Sequence, residues 1–457
     1  MNLGRLLARR AASDGARAAV IDGGRSLTFA ELDRAANRVA NALIARGIAP
    51  GDRVAAILRN GIDACALYYG AARAGVVLCP LNWRLAPAEL AYQVEHCGAR
   101  LVVGPAEFAT KIMTGLTAMS ELAGADTAVD VSAPADAPLL ICYTSGTTGR
   151  PKGAVLTHAN MYAVADSVTS TLDYRAGDVN LIATPMFHVG GLSFATMFVQ
   201  RGATAVLMPA WSADEALRLV EQHKVNHFFA VPTMLAALLE HAGDMRSIRW
   251  ILTGAAPTPP EMFGAFARRG VELIDSYGCT ETAGAALCRG KPFRHVEVKL
   301  VEGEIRVRGA NVFDGYWQDK AASEAALAGG WLATGDLGRE HDGQIRIVDR
   351  KKDLIISGGE NVYPAEVEAV LEHHPALAEL AVLGVPDAKW GEAVCAVVVL
   401  KPGQNVALEE LRRYCEGKLA SFKQPSRLVV RAGPLPRTAT GKPMKNELRA
   451  QLQAGFG

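Results

Sequence analysis

The chain has 457 residues, too many for one compact core, and at roughly 150 residues per domain it predicts about three folding units. Lys and Arg number 48 against 47 Asp and Glu, so there is no global charge footprint for nucleic acid or an anionic membrane, and any anionic ligand must be held by a local site. Hydrophobic residues make up 50% and charged residues 21%, with no apolar run of roughly 18 residues, a profile that excludes disorder, collagen-like repeats and an integral membrane segment.

The segment Met1 to Arg10 carries arginines but no apolar h-region and no small-residue cleavage site, which predicts a cytoplasmic protein without a secretory signal. Thr28 and Glu31 form a capping-box pattern ahead of Leu32, Ala36, Val39 and Leu43 at helical spacing, and Gly47 supplies the stop. A strand is expected at Val54 to Leu58, a helix from Pro87 to Gly98, a strand at Leu101 to Val103, a helix capped by Ser212 with Glu215, and a strand near His227 to Val231. This alternation predicts α/β layers with largely parallel sheets.

From about Val296 the period becomes two, through Val298, Leu300, Ile305 and Val307, and Asp342-Gly343 marks a hairpin. A small β-rich part is expected over about 296–350. Beyond Arg350, a helix opened by Pro364, strands at Ala381 to Val385 and Ala393 to Leu400, and a helix at Leu408 to Leu419 predict a small α+β domain over 351–457, after a first domain over 1–350. Cys65, Cys79, Cys97, Cys142, Cys279, Cys288, Cys395 and Cys415 are scattered, without any CxxC pair or clustering with His, and read as reduced thiols.

The most informative stretch runs from Tyr143 to Gly153, between an apolar strand at Leu139 to Cys142 and a helix expected near Thr157. Gly146, Gly149 and Gly153 let backbone N–H groups converge on an anion, Thr144, Ser145, Thr147 and Thr148 add hydroxyl donors, and Lys152 adds positive charge. Such a loop suits phosphate. It is not a Walker A loop, because Pro151 precedes the lysine and Gly153 follows it.

The loop resembles the phosphate-binding signature of the AMP-forming acyl-CoA synthetase, adenylation-domain and luciferase superfamily, and further blocks agree in order along almost the whole chain. Gly254-Ala255-Ala256-Pro257 resembles the adenine-side turn. Tyr277-Gly278-Cys279-Thr280-Glu281 resembles the block in which an aromatic stacks on adenine, a Thr reaches the α-phosphate and a Glu binds magnesium, with Ser276 standing where Gly is common. Thr334-Gly335-Asp336 resembles the ribose turn, Arg350 to Asn361 the hinge segment, and Thr440-Gly441-Lys442 the catalytic lysine loop.

The resemblance implies a large N-terminal domain and a mobile C-terminal one, a hinge at Lys352, magnesium on Glu281 and Thr144, and ribose held by Asp336 with Arg350. It also implies a pantetheine path along Gly358 and Gly359, Trp390 packing near CoA, and His188, in Phe187-His188-Val189-Gly190-Gly191, as the aromatic gate between carboxylate and thiol. The chemistry wants these residue types, since a carboxylate attacking the α-phosphorus of ATP brings anion against anion, about 4 kcal/mol per charge pair at 4 Å in a partly screened site. Lys442 can bridge the substrate carboxylate and the α-phosphate, and Glu281 with magnesium can neutralise the others.

The expected enzyme is therefore a carboxylic acid–CoA ligase using ATP, Mg²⁺ and coenzyme A, through acyl-adenylate plus pyrophosphate and then acyl-CoA plus AMP. Val189, Gly190, Gly191, Leu192, Val231, Met234, Gly254 and Ala255 suggest an apolar acid, a medium or long fatty acid or an aryl acid. A stand-alone adenylation enzyme loading a carrier protein is the alternative, disfavoured by the absence of an Asp in the Phe187-His188 block to pair an amino-acid ammonium. A luciferase-like oxygenase is the third.

Overall fold

Local signals set most of the elements. Thr28 Oγ1 accepts from the Glu31 N–H while the Glu31 carboxylate accepts from the Thr28 N–H, and the helix Phe29–Ala45 follows from that capping box. Pro87 opens the helix Pro87–Cys97, which stops where Gly98 turns left-handed at φ 62°. Ser212 caps the helix Ala213–His223.

A computed structural model of the chain describes all residues except 113–114, 130–132, 145–150, 358–359, 438–440 and 456–457. By contacts it divides into two compact units, Met1–Lys299 with Arg306–Thr334, and Leu300–Ile305 with Gly335–Gly457.

The first unit holds two sheets. In one, Glu272–Tyr277, Trp250–Thr253, His227–Ala230, Val179–Ile182, Thr204–Leu207 and Ala18–Asp22 run parallel side by side, and antiparallel strands flank both edges. In the other, Pro138–Thr144, Val77–Pro80, Arg53–Ala56 and Ala99–Val103 run parallel. On its far side Lys152–Thr157 and then Gly315–Tyr316 add antiparallel. The architecture is thus layered α/β with mostly parallel sheets. The strand before the stretch Tyr143 to Gly153 and the helix near Thr157 lie where expected, but a further strand intervenes between them. The apolar run Ala154 to Leu156 folds back as a strand on Pro138–Thr144, and the helix His158–Thr171 starts only after Thr157 caps it.

In the second unit, Asp336 to His341 of the strand Leu332–His341 pair antiparallel with Gln344–Arg350 around Asp342 and Gly343, whose φ values of 53° and 68° suit a tight hairpin. The Gly338 N–H donates to the Gly303 carbonyl, the Gly335 N–H to Glu304 Oε1, and Lys351 Nζ lies 3.5 Å from Glu304 Oε2. These bonds group 300–305 and 335–350 with the C-terminal unit, whereas the periodicity placed the division at 350. The strand Gly391–Leu400 is central in a five-stranded sheet. Val394, Ala396 and Val398 enter one core with Val367, Leu371 and Leu411, while Ala393, Cys395 and Val397 enter another with Leu435 and Leu448. Burial on both faces explains its unbroken apolar run. The last expected helix ends earlier, at Cys415.

Candidate active site

In the first unit the strand Trp250–Thr253 delivers Gly254 against the neighbouring strand so closely that a Cβ there would lie 2.4 Å from the Ser276 carbonyl oxygen. Only glycine fits. Ala255 then takes a left-handed φ of 67°, carrying the chain through Ala256 and Pro257. Ser276 lies within the strand Glu272–Tyr277, and its Oγ donates to the Thr253 carbonyl at 2.8 Å. The serine therefore ties the strand leading into the turn Gly254 to Pro257 to the strand that ends at Tyr277. Gly278 is equally constrained, since a Cβ would lie 2.5 Å from the Gly284 carbonyl oxygen, and Thr280 to Thr282 make one 3₁₀ turn that presents Glu281.

Glu281 is joined to the hairpin of Pro138–Thr144 and Lys152–Thr157 by a residue that sequence reasoning missed. The Tyr316 hydroxyl donates to Glu281 Oε1 at 2.8 Å, Lys152 Nζ sits 5.1 Å above the Tyr316 ring, and Lys152 Nζ is 3.8 Å from Asp319 Oδ2. Burial first, and the Glu281 charge next, push the Tyr316 ionisation up, so the phenol remains a donor. Gly315–Tyr316 is a strand of two residues held on Ala154 and Val155, too short to show a period. Asp319 also caps the helix Lys320–Ala326, accepting from the Ala322 N–H at 3.0 Å. Thr144 and Lys152 face each other at the base of the hairpin. Ser145, Gly146, Thr147, Thr148 and Gly149 lie outside the described residues.

His188 stands at the N-cap of the helix Val189–Arg201, its ring 4.5 Å from Phe187. Its Nε2 is buried without a hydrogen-bond partner among the described residues. Burial and the nearby Arg84 charge push its pKa down to about 4, so it is a neutral imidazole at pH 7. Gly191 is required there, because a Cβ would lie 2.5 Å from the Pro185 carbonyl oxygen, and a Cβ on Gly190 would meet the Phe229 ring at 3.8 Å. Phe194 lies 6.3 Å from Phe229.

In the second unit, Asp336 and Arg350 are partners across the hairpin, with Arg350 Nε 3.0 Å from the buried Asp336 Oδ1. Lys352 falls in the 3₁₀ turn Lys351–Asp353; Gly358 and Gly359 lie outside the described residues. Trp390 is 47% exposed, and its backbone N–H donates to Asp387 Oδ1 at 3.1 Å. Lys442 follows Gly441, which has a φ of 83° and whose carbonyl accepts from Arg437 Nη1 at 2.7 Å; Thr440 is outside the described residues. All eight cysteines are free thiols. Among the described residues no helix is long and apolar enough to cross a membrane.

A family profile for AMP-binding enzymes matches residues 7–317, and that of the AMP-binding enzyme C-terminal domain matches residues 366–442. The chain is 36% identical to the long-chain-fatty-acid–CoA ligase FadD13 of Mycobacterium tuberculosis, over 94% of this chain and 93% of that one. It is 36% identical to a feruloyl-CoA synthase of an Amycolatopsis species, over 98% and 99%. The o-succinylbenzoate CoA synthetase of Bacillus subtilis, solved with its acyl-adenylate intermediate, superposes with a TM-score of 0.91 at 36% identity, covering 97% of each chain. The same enzyme with ATP and magnesium superposes with a TM-score of 0.89 at 35% identity, over 98% of this chain and 99% of that one. The chain belongs to the family of AMP-binding enzymes. It is an AMP-forming acid–CoA ligase whose co-substrates are ATP, with magnesium, and CoA.

Proposed function

We propose that the acid is apolar, fatty or aryl, and that the residues read from the sequence carry the two half-reactions. The observation that carries the assignment is the Lys152–Tyr316–Glu281 arrangement, which joins the phosphate hairpin to a carboxylate through one oriented hydroxyl. Among the described residues no cluster of three metal-ligating side chains exists, and magnesium fits such a place because it is held by one or two carboxylates together with substrate phosphates. Held by Glu281 and Thr144, the ion would neutralise phosphate charge.

The chain's own groups do the rest. Hydroxyls and N–H groups of Thr144 to Gly153 hold the β- and γ-phosphates, Thr280 the α-phosphate, the turn Gly254 to Pro257 with Tyr277 the adenine, and Asp336 with Arg350 the ribose. Lys442 stabilises charge as the carboxylate attacks the α-phosphorus. Lys352 is the hinge, Gly358 and Gly359 the path of the thiol, and Trp390 a packing surface for CoA. His188, neutral and unpartnered, gates the carboxylate without adding charge. Relatives that ligate long-chain fatty acids and ferulate support an apolar acid, as does the Phe229 ring beside Gly190, with Phe194 against it. AMP release across fatty, cinnamic, benzoic and dicarboxylic acids, each with CoA present or omitted, tests the assignment. AMP formation with fatty or aryl acids that depends on CoA is expected; preference for a dicarboxylate would overturn it.

A further inference from the structure

The helix Pro87–Cys97 lies outside every motif used so far, yet it reaches both flanks of the phosphate hairpin. His96 Nδ1 is 2.9 Å from the Tyr143 hydroxyl, which donates to the Gln93 carbonyl at 3.1 Å. The Tyr92 hydroxyl donates to the Pro151 carbonyl at 3.2 Å. Tyr92 and His96, one helical turn apart on one face, stack with ring centroids 5.3 Å apart. Tyr143 immediately precedes Thr144 on the incoming strand, and Pro151 immediately precedes Lys152 on the outgoing one.

We propose that this helix is a clamp on the phosphate-binding hairpin, with Tyr92 and His96 as positioning residues that fix its two flanks. The inference rests on the assignment of Thr144 to Gly153 to the phosphates. The platform is rigid: Pro87 and Gly98 delimit the helix, and Leu90, Val94 and Cys97 are buried in one core with Val102, Ile141 and Val155. Burial pushes the Tyr143 ionisation up, so the phenol keeps its single proton and gives it to Gln93. His96 Nδ1 must then carry a hydrogen and donate to the Tyr143 oxygen.

Fixing Tyr143 and Pro151 holds Thr144 and Lys152 ready for polyphosphate, an effect on ATP that an acyl-adenylate, lacking β- and γ-phosphates, does not feel. Tyr143→Phe and His96→Leu each remove hydrogen bonds while keeping bulk, and should raise KM for ATP about 3- to 10-fold in pyrophosphate release. The rate of acyl-CoA formation from prepared acyl-adenylate plus CoA should stay within about twofold. His96→Asn, whose side-chain amide N–H can replace the Nδ1 donor, should restore the ATP KM. Tyr92→Phe, which removes one oxygen from a half-buried ring, gives the same readout if His96→Leu loses its cooperative thermal transition. Lys152→Ala is the control for the hairpin itself. A raised ATP KM in Lys152→Ala with wild-type values in the clamp variants overturns the clamp alone. Unchanged ATP KM in all variants overturns the phosphate assignment and the clamp with it, and parallel losses in both half-reactions would mean that the helix only supports the fold.

Discussion

Tyr316→Phe isolates the hydroxyl that orients Glu281. The substitution removes the donor 2.8 Å from Glu281 Oε1 and keeps the ring that lies under Lys152 Nζ and packs edge-on against Phe313 at 4.9 Å. A hydrogen bond to a charged acceptor contributes about 1.5–3 kcal/mol, and Glu281 is half-buried, so the lower end applies: about 1.5 kcal/mol, or about tenfold in a binding constant. That loss should appear as a roughly tenfold higher magnesium requirement in pyrophosphate release from acid plus ATP, with acyl-CoA formation from prepared acyl-adenylate little changed. Glu281→Gln removes the charge on its own, and the double variant closes a thermodynamic cycle in which the two effects should be non-additive by about 1 kcal/mol. A Tyr316→Phe enzyme with a wild-type magnesium titration, or strictly additive effects in the cycle, would refute the claim that this hydroxyl orients the carboxylate.

Lys442→Ala should lose on the order of 3–4 kcal/mol of transition-state stabilisation, about 10²–10³ in pyrophosphate release, yet convert acyl-adenylate plus CoA at close to the wild-type rate; equal loss in both assays would remove its assignment to the first step. Gly254→Ala forces a Cβ to 2.4 Å from the Ser276 carbonyl oxygen, between strands whose register fixes Thr253 opposite Asp275. It should cost about 1–3 kcal/mol in thermal unfolding and weaken ATP binding, and an unchanged melting temperature would show that the strands give way freely. His158 is buried, its Nδ1 accepts from the Leu3 N–H at 3.3 Å, and burial with the N-terminal charge pushes its pKa from 6.5 down to about 4. Between those values the unfolded chain binds the extra proton, so stability is full above about pH 6.5 and falls by about 3 kcal/mol as the pH drops towards 4. Melting curves of His158→Gln should lack that component of the acid loss, and an identical pH dependence in both proteins would contradict it.

What the sequence determined by itself is what local chemistry determines. Thr28 with Glu31, Pro87 with Gly98, and Ser212 fix helix ends because a cap acts within one turn. Asp342-Gly343 fixes a hairpin because only those two residues must take positive φ. The turn Gly254 to Pro257 and the block Tyr277 to Glu281 are legible as strand-end segments for the same reason, since Gly254 and Gly278 mark where another backbone approaches too closely for a Cβ.

Tertiary structure decided what lies between the blocks. The strand Lys152–Thr157, which local signals did not announce, lies between the strand Pro138–Thr144 and the helix near Thr157 because its apolar residues are buried where it pairs with Pro138–Thr144, an outcome set by the sheet and not by the residues' own propensity. Ser276, a departure in the motif, became a tie to Thr253 once two parallel strands lay side by side. Tyr316 reached Glu281 across 35 positions, His96 reached Tyr143 across 47, and Tyr92 reached Pro151 across 59. Such pairings depend on strand register and helix rotation summed over the whole unit, and no periodicity within a window of a dozen residues contains them.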